Sequence, residues 1–222
     1  MNIAFIPARC GSKAIKFKNI KEFCGKPLIY WSLLALENVD LIDKVYVATD
    51  CNEISSVVES FEFSKVSIYM RSEENSKDDS STESVMLEFL NNNKLLDDDL
   101  FMLVQATSPM TTKNDFQDAI SMYKNSKKDS LLSVVEEKKF FWTKDAQPVN
   151  YDYKNRPRRQ DFEGFLLENG AFYINKVSNI LRDKNRLSGD IALYIMNDYN
   201  SIDIDEELDW IVAEQYMKEH IL

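Results

Sequence analysis

Short apolar runs alternate with amphipathic stretches along most of this chain. Ile3-Ala4-Phe5-Ile6, within residues 2–7, has the length and character of a buried strand. A polar, basic stretch follows from Ala8 to Lys26. Pro27 then opens a pattern with apolar positions at Leu28, Trp31, Leu34 and Ala35, which is helical spacing. Val45-Tyr46-Val47-Ala48 predicts a second strand closed by Thr49-Asp50, with a helix behind it over residues 52–61. A third strand falls at 66–69. Ser81 to Ser84 can cap a helix carrying Val85, Phe89 and Leu90. Phe101–Val104 predicts a fourth strand, ended by Ser108-Pro109. Phe116, Ala119, Ile120 and Tyr123 repeat at helical spacing, and Leu131 to Val135 makes a further strand.

This alternation predicts an α/β fold of the doubly wound, Rossmann-like kind: a mainly parallel sheet with helices on both faces. Ligands in such sheets sit at the carboxyl ends of the strands, where the polar stretches after the first, second and fourth strands fall. The pattern breaks over 136–168, which holds Phe140-Phe141-Trp142 and Asn155-Arg156-Pro157-Arg158-Arg159 but no clean helix. Such an interruption inside a compact domain predicts a functional excursion, and its aromatic content suits a contact between subunits. Strand character returns at 170–174 and 193–196, and a last helix is expected over 206–219. The whole chain, 1–222, reads as one domain with the excursion inside it.

Composition narrows the chemistry. Lys and Arg number 27 against 37 Asp and Glu, a net charge of −10, which argues against nucleic acid as a partner. A local basic pocket for a small anion stays open. The single histidine, His220, all but excludes a His-based triad or a multi-histidine metal site. Three cysteines without a C-x-x-C pair predict neither a disulfide framework nor a structural zinc, and fit a reducing cytoplasm. No apolar run approaches the ~18 residues of a membrane span, so no membrane partner is expected.

Two places could carry chemistry. The first is the loop from Pro7 to Asn19, where Arg9, Lys13, Lys16 and Lys18 accompany Gly11 and Ser12 directly after a strand. Backbone N–H groups and cations in that setting suit a polyphosphate. The loop is neither G-x-x-x-x-G-K-[ST] nor G-x-G-x-x-G, and from charge alone a solvated basic loop is an equal reading. The second is Asp203-Ile204-Asp205. Strand alternation puts both carboxylates on one face, where a cation would relieve their repulsion. On spacing alone the better reading is an acidic helix start, with Asp205 as cap.

Taken together, Ile6-Pro7-Ala8-Arg9-x-Gly11-Ser12-Lys13-x-Ile15-x-x-Lys18-Asn19 resembles the nucleotide-binding signature of the acylneuraminate cytidylyltransferases, the CMP-sialic acid synthetases. Thr49-Asp50, Gln105-x-Thr107-Ser108-Pro109, Arg159-Gln160, Asn169-Gly170-Ala171-x-Tyr173-Ile174 and Ser201-Ile202-Asp203-Ile204-Asp205 extend the resemblance over essentially the whole chain. It implies an enzyme that joins CTP to a nine-carbon 2-keto sugar acid. Arg9, Ser12, Lys13, Lys18 and Asn19 would hold CTP, with Lys13 and Lys18 stabilising charge on the phosphates. Arg71 would bind the base, and Ser84 or Thr82 would contact the nucleotide. Gln105, Arg159, Asn169 and Tyr173 would face the sugar acid, Arg159 reaching across a homodimer. Asp203 and Asp205 would hold Mg²⁺, which reverses the reading from spacing, and Asp205 would also assist the attacking hydroxyl. Asp209 reads as a surface or supporting residue.

Two positions depart from the family pattern. Ala14 replaces a usual glycine, and Met110-Thr111 replaces a usual Leu-Arg, removing a cation near the expected sugar site. The resemblance therefore implies N-acetylneuraminate as first candidate substrate, with legionaminic and pseudaminic acids as alternatives and the octulosonate enzymes as more distant kin. A nucleotide-binding protein without turnover is the reading from a different class.

Overall fold

A computed structural model describes residues 1–11, 14–77 and 79–222. Seven strands form one sheet: β1 (Asn2–Pro7), β4 (Lys44–Thr49), β5 (Val66–Met70), β6 (Leu100–Val104), β7 (Ser130–Glu137), β8 (Phe165–Lys176) and β9 (Ile191–Met196). Their order is β5-β4-β1-β6-β8-β7-β9. Pairings β5–β4, β4–β1, β1–β6 and β7–β9 are parallel, whereas β8 runs against both β6 and β7. The mainly parallel sheet predicted from the alternation is present, with one reversed strand inside it. A separate small hairpin joins β2 (Glu22–Phe23) to β3 (Lys26–Pro27). Its two-residue turn is Cys24-Gly25, both at positive φ, a conformation that suits the twist of a tight hairpin.

Strand alternation divides the core in two. Ala4 and Ile6 of β1 join Val45 and Val47 of β4 against α1 (Leu28–Glu37), α2 (Asn52–Glu59) and α4 (Lys113–Asn125). Phe5 points the other way, with Phe101 and Leu103, against α3 (Thr82–Asn92) and α5 (Val177–Asp183). Phe89 of α3 is the hub of that second layer, with ring centroids 5.0 Å from Phe5, 4.7 Å from Tyr46 and 5.1 Å from Tyr69. A third cluster packs α6 (Glu207–His220), through Trp210, Ala213 and Met217, on Phe23, Leu28 and Met110. Met110 is thus a core residue, and Thr111 beside it is buried with its hydroxyl donating to the Ser108 carbonyl.

Three features differ from the sequence-based expectation. Strands β7 and β8 continue into the excursion, pairing Glu137 with Phe165, so only 138–164 lies outside the sheet. There Phe140 packs on Tyr151 and Phe162, and the Arg156 guanidinium lies 4.5 Å from the Phe140 ring. Helix α5 is additional; at seven residues it is too short for a periodic signal, and it is held by buried Val177 and Ile180. Most consequential, Cys10 and Cys51 are joined by a disulfide, with Cα atoms 5.3 Å apart. The expectation of no disulfide is corrected here. Parallel pairing of β1 with β4 brings together two cysteines separated by 41 residues, a proximity that spacing along the chain does not reveal. Among the described residues no helix is long and apolar enough to cross a membrane.

Candidate active site

The order of the parallel strands reverses at β1, which has β4 and β5 on one side and β6 on the other. Chains leaving neighbouring strands in opposite directions open a crevice at their carboxyl ends. A cleft of about 450 Å³ lies there, and Pro7, Arg9, Lys18, Asn19, Arg71, Gln105, Thr107, Asp203 and Asp205 are among its lining residues.

The loop after β1 forms one wall. Its first residues keep a grip on β4: Ala8 N–H donates to the Ala48 carbonyl at 2.9 Å, and Cys10 N–H to Asp50 Oδ1 at 3.1 Å. The loop returns through Phe17, at φ 53°, into a 3₁₀ turn over Lys18–Ile20. That turn aims Lys18 inward, so Nζ donates to the Ile204 carbonyl at 2.6 Å and to Asp205 Oδ1 at 3.0 Å. Asn19 is buried, its Nδ2 donating to the Arg9 carbonyl at 3.5 Å. Ser12 and Lys13, assigned to the phosphates and to charge stabilisation, lie outside the described residues.

The opposite wall is acidic. Residues 202–205 form no strand, yet the alternation expected of one persists: Ile204 is fully buried, whereas Asp203 and Asp205 both line the cleft. Ile204 N–H donates to the Thr107 carbonyl at 3.0 Å, tying the segment to the loop after β6. Asp209 fixes the other end, its Oδ2 accepting from the N–H groups of Asp205 at 3.0 Å and Glu206 at 2.8 Å. Asp209 is therefore a positioning residue at the start of α6, a role that only the reciprocal capping pattern with Glu206 could have signalled. Desolvation by the cleft walls, with the neighbouring carboxylates of Asp205 and Asp209, pushes the Asp203 carboxyl above the ordinary range, against a hydrogen bond from Thr107 and the charge of Lys18. Two carboxylates crowded in this way form a donor set suited to a hard cation.

Arg71 follows β5. Its Nε donates to the Ala48 carbonyl at 3.0 Å, fixing the guanidinium in the cleft. The segment behind it is pinned to Glu88, whose carboxylate accepts from Tyr69, Ser72 and Asn75. Of the two hydroxyls proposed at the start of α3, Thr82 lines the cleft with Ser80 and Ser81. Ser84 instead donates to the Ser81 carbonyl at 2.8 Å as part of the helix cap. Sequence reasoning did not single out Ser80, although its place just before a capped helix offers a signal.

The residues assigned to the sugar acid are dispersed. Gln105 is in the cleft, its N–H donating to the Ala171 carbonyl at 3.0 Å. Asn169 is only 4% exposed: its Oδ1 accepts from Ser133, and its Nδ2 donates to the Asn200 carbonyl. Gly170, at φ +74°, sits in an irregularity of the β7–β8 ladder. Asp203 Oδ2 lies 3.8 Å from where a Cβ on Gly170 would stand, so this bulge brings β8 up against the acidic wall. Tyr173 is buried beside α3; its hydroxyl donates to Glu168, and Arg186 covers its ring at 4.9 Å while pairing with Glu83. Burial and the Glu168 carboxylate raise the Tyr173 phenol to about 12. Arg159 lies in a different groove, with Glu136, Lys138, Asp198 and Tyr216. His220, which carried no functional assignment, stacks on Tyr199.

Comparisons with known proteins bear on this arrangement. A family model described as Cytidylyltransferase matches residues 3–219. An N-acylneuraminate cytidylyltransferase of Oncorhynchus mykiss is 39% identical over 219 residues, which is 96% of this chain and 49% of the relative. The chain thus spans about half the length of that relative. A CMP-N,N'-diacetyllegionaminic acid synthase of Legionella pneumophila is 28% identical over 97% of this chain and 96% of its own. Among solved structures, a CMP:2-keto-3-deoxy-manno-octonic acid synthetase complexed with CTP superposes with a TM-score of 0.71 at 16% identity, covering 99% of both chains. A 4-diphosphocytidyl-2C-methyl-D-erythritol synthase of Anaerococcus prevotii gives 0.70 at 15% identity, covering 98% of this chain and 96% of its own. At those identities the likeness is one of fold.

Proposed function

The chain belongs to the cytidylyltransferase family, and from that premise we propose that it joins CTP to a sialic-type 2-keto sugar acid, N-acetylneuraminate first, releasing pyrophosphate. The observation that carries this reading is one cleft with cationic Arg9, Lys18 and Arg71 facing carboxylates Asp203 and Asp205 at the switch point of the sheet. The anomeric hydroxyl of the sugar acid attacks the α-phosphorus in line, and the bond to the pyrophosphate oxygen breaks. Reactions of this type depend on positioning and charge neutralisation. Arg9, Ser12, Lys13, Lys18 and Asn19 hold the triphosphate, and Arg71, pinned through Nε, presents its remaining N–H groups to the base. Gln105 offers both a donor and an acceptor to the sugar acid. Asp205 orients the attacking hydroxyl.

Asp203 and Asp205 would hold Mg²⁺, which when bound supplies positive charge to the phosphates. Their crowding, with Asp209 behind them, supports that assignment. Lys18 pairs with Asp205 at 3.0 Å, which also lowers the repulsion between the carboxylates.

A homodimer belongs to the same proposal. Edge strand β9 turns Ile191, Leu193 and Ile195 outward, and Phe165, Leu166 and Leu167 of β8 are also exposed. A long apolar edge strand left open is an aggregation hazard, which a second copy would cover. Arg159 stands apart from its own cleft, as expected of a residue that serves the neighbouring copy. The excursion would then make the subunit contact. A cytoplasmic location completes the reading, since CTP is an intracellular metabolite.

A legionaminic acid substrate is the second reading, favoured by the Legionella relative that this chain matches over nearly its full length. The test is pyrophosphate release from CTP and Mg²⁺ with N-acetylneuraminic, legionaminic, pseudaminic and octulosonic (Kdo) acids. Release with N-acetylneuraminate, with the CMP conjugate identified by mass, supports the first reading. Release with legionaminate alone selects the second. CTP binding without turnover on any of the four would point to the non-catalytic reading.

A further inference from the structure

The Cys10–Cys51 bond lies outside the catalytic roles described, and neither residue lines the cleft. It joins the first turn of the nucleotide loop to the end of β4. That end is already the loop's anchor, because Ala48 accepts from Ala8 and Arg71, and Asp50 accepts from Cys10 N–H. The bond therefore fastens residue 10, one position after Arg9, to the element that also orients Arg71. We propose that Cys10 and Cys51 are a redox-modification site, addressed by low-molecular-weight disulfides such as glutathione disulfide, that sets how firmly the nucleotide loop is held and hence how tightly CTP binds. This rests on the CTP-binding reading of the cleft.

The chemistry is thiol–disulfide exchange. Cys51 is buried, and Glu53 Oε2 lies 3.2 Å from its Sγ, an acceptor for the thiol once the bond is reduced. Cys10 is only half-buried and is the sulfur that meets a reagent. Its thiolate attacks one sulfur of glutathione disulfide; that S–S bond breaks and one glutathione thiolate leaves. Cys51 then attacks the Cys10 sulfur of the mixed disulfide, and the second glutathione departs. The two protons lost by the cysteines end on the two glutathione thiols. One disulfide is reduced and one formed, with no further oxidant. Cys24 is the free cysteine of the chain and takes no part.

The cross-link removes freedom from the start of the loop before nucleotide arrives, so less ordering remains to be done on binding. We expect the oxidised protein to bind CTP roughly three- to ten-fold more tightly than the reduced one, the scale of ordering about one loop residue.

The test uses the full chain equilibrated with glutathione disulfide or with dithiothreitol. Thiols are counted by alkylation and mass spectrometry under denaturing conditions, and CTP affinity is measured by calorimetry. The expected result is Cys24 alone alkylated in the oxidised sample, all three cysteines in the reduced one, and the affinity difference above. Cys51→Ser should stop at a glutathione adduct on Cys10. Cys10→Ser with Cys51→Ser should give no such adduct, and one affinity in both conditions. Alkylation of both Cys10 and Cys51 after excess glutathione disulfide would overturn the site. Equal CTP affinity of the oxidised and reduced wild type would overturn the control, leaving the cytidylyltransferase reading intact. Absence of CTP binding in both states would overturn the two together.

Discussion

Replacing Asn169 by alanine separates a residue that faces substrate from one that holds the site together. Its amide lies within the protein, donating to the Asn200 carbonyl at 3.0 Å and accepting from Ser133 Oγ at 2.7 Å. Ser133 can redirect its hydrogen to the Phe172 carbonyl, 3.0 Å away, so that loss is partly recovered. The Asn200 carbonyl belongs to a residue only 1% exposed, and losing this donor costs it about 1–3 kcal/mol. With a smaller contribution from the vacated volume, the total is about 2–4 kcal/mol. For a domain of this size each kcal/mol shifts Tm by about 2–4 °C, so Asn169→Ala should melt roughly 4–16 °C below wild type. Asn200 lies three residues before Asp203, so kcat should fall while KM for the sugar acid changes little. Thermal unfolding and steady-state kinetics on the same preparation check both. A Tm within 2 °C of wild type, together with a KM for the sugar acid raised ten-fold or more, would refute the argument, because the amide would then be serving the ligand.

Lys18→Met should lower kcat about 10²–10³-fold, the usual loss when one preorganised charge is removed from a phosphoryl-transfer site; a rate near wild type would remove Lys18 from the mechanism. Phe89→Ala should cost about 3–5 kcal/mol in denaturant unfolding, since four aromatic neighbours lose their common partner. Glu88→Gln should raise KM for CTP several-fold by loosening the segment behind Arg71. Burial pushes the Glu88 carboxyl up, but hydrogen bonds from Ser72, Asn75 and Tyr69 outweigh it and hold it below its ordinary 4.5. A lowered carboxyl contributes stability above its unfolded value and loses it as pH falls through the folded one. The stability gap between wild type and Glu88→Gln should therefore be full at pH 7 and close in acid below the ordinary carboxyl range; a gap independent of pH would exclude the charge as its source.

Much of the sheet was legible because buried parallel strands are written as continuous apolar runs, as in Ile3–Ile6 and Phe101–Val104. The loop at Arg9–Asn19 and the pair at Asp203 and Asp205 stood out as candidate chemistry, and the structure brings Arg9, Lys18, Asn19 and both aspartates around one cleft; only family resemblance turns the pair from a helix cap into the cation site proposed above. Contacts made across long stretches of chain were not legible. Nothing local marks Cys10 and Cys51 as neighbours, or Asn169 as a strut beneath the acidic wall rather than a residue of the cleft. The reversal of β8 was hidden for a similar reason: residues 170–174 read as a strand whichever way they run, and direction is settled by pairing with β6 and β7. Ser84 and Thr82 could not be told apart because helix caps and ligand contacts draw on the same hydroxyl residues.

The tie from Lys18 to Ile204 and Asp205 spans 186 and 187 residues. The cleft is therefore closed by segments far apart in the order of synthesis. A ribosome will have delivered every strand of the sheet by Met196, yet the acidic wall arrives only with Asp203 and Asp205. A chain made only as far as β9 holds the strands and the basic loop but lacks the acidic wall. Such a chain, or a product nicked just after β9, would leave Phe23, Leu28 and Met110 without the cover of α6 and would lack the carboxylates proposed to hold the cation.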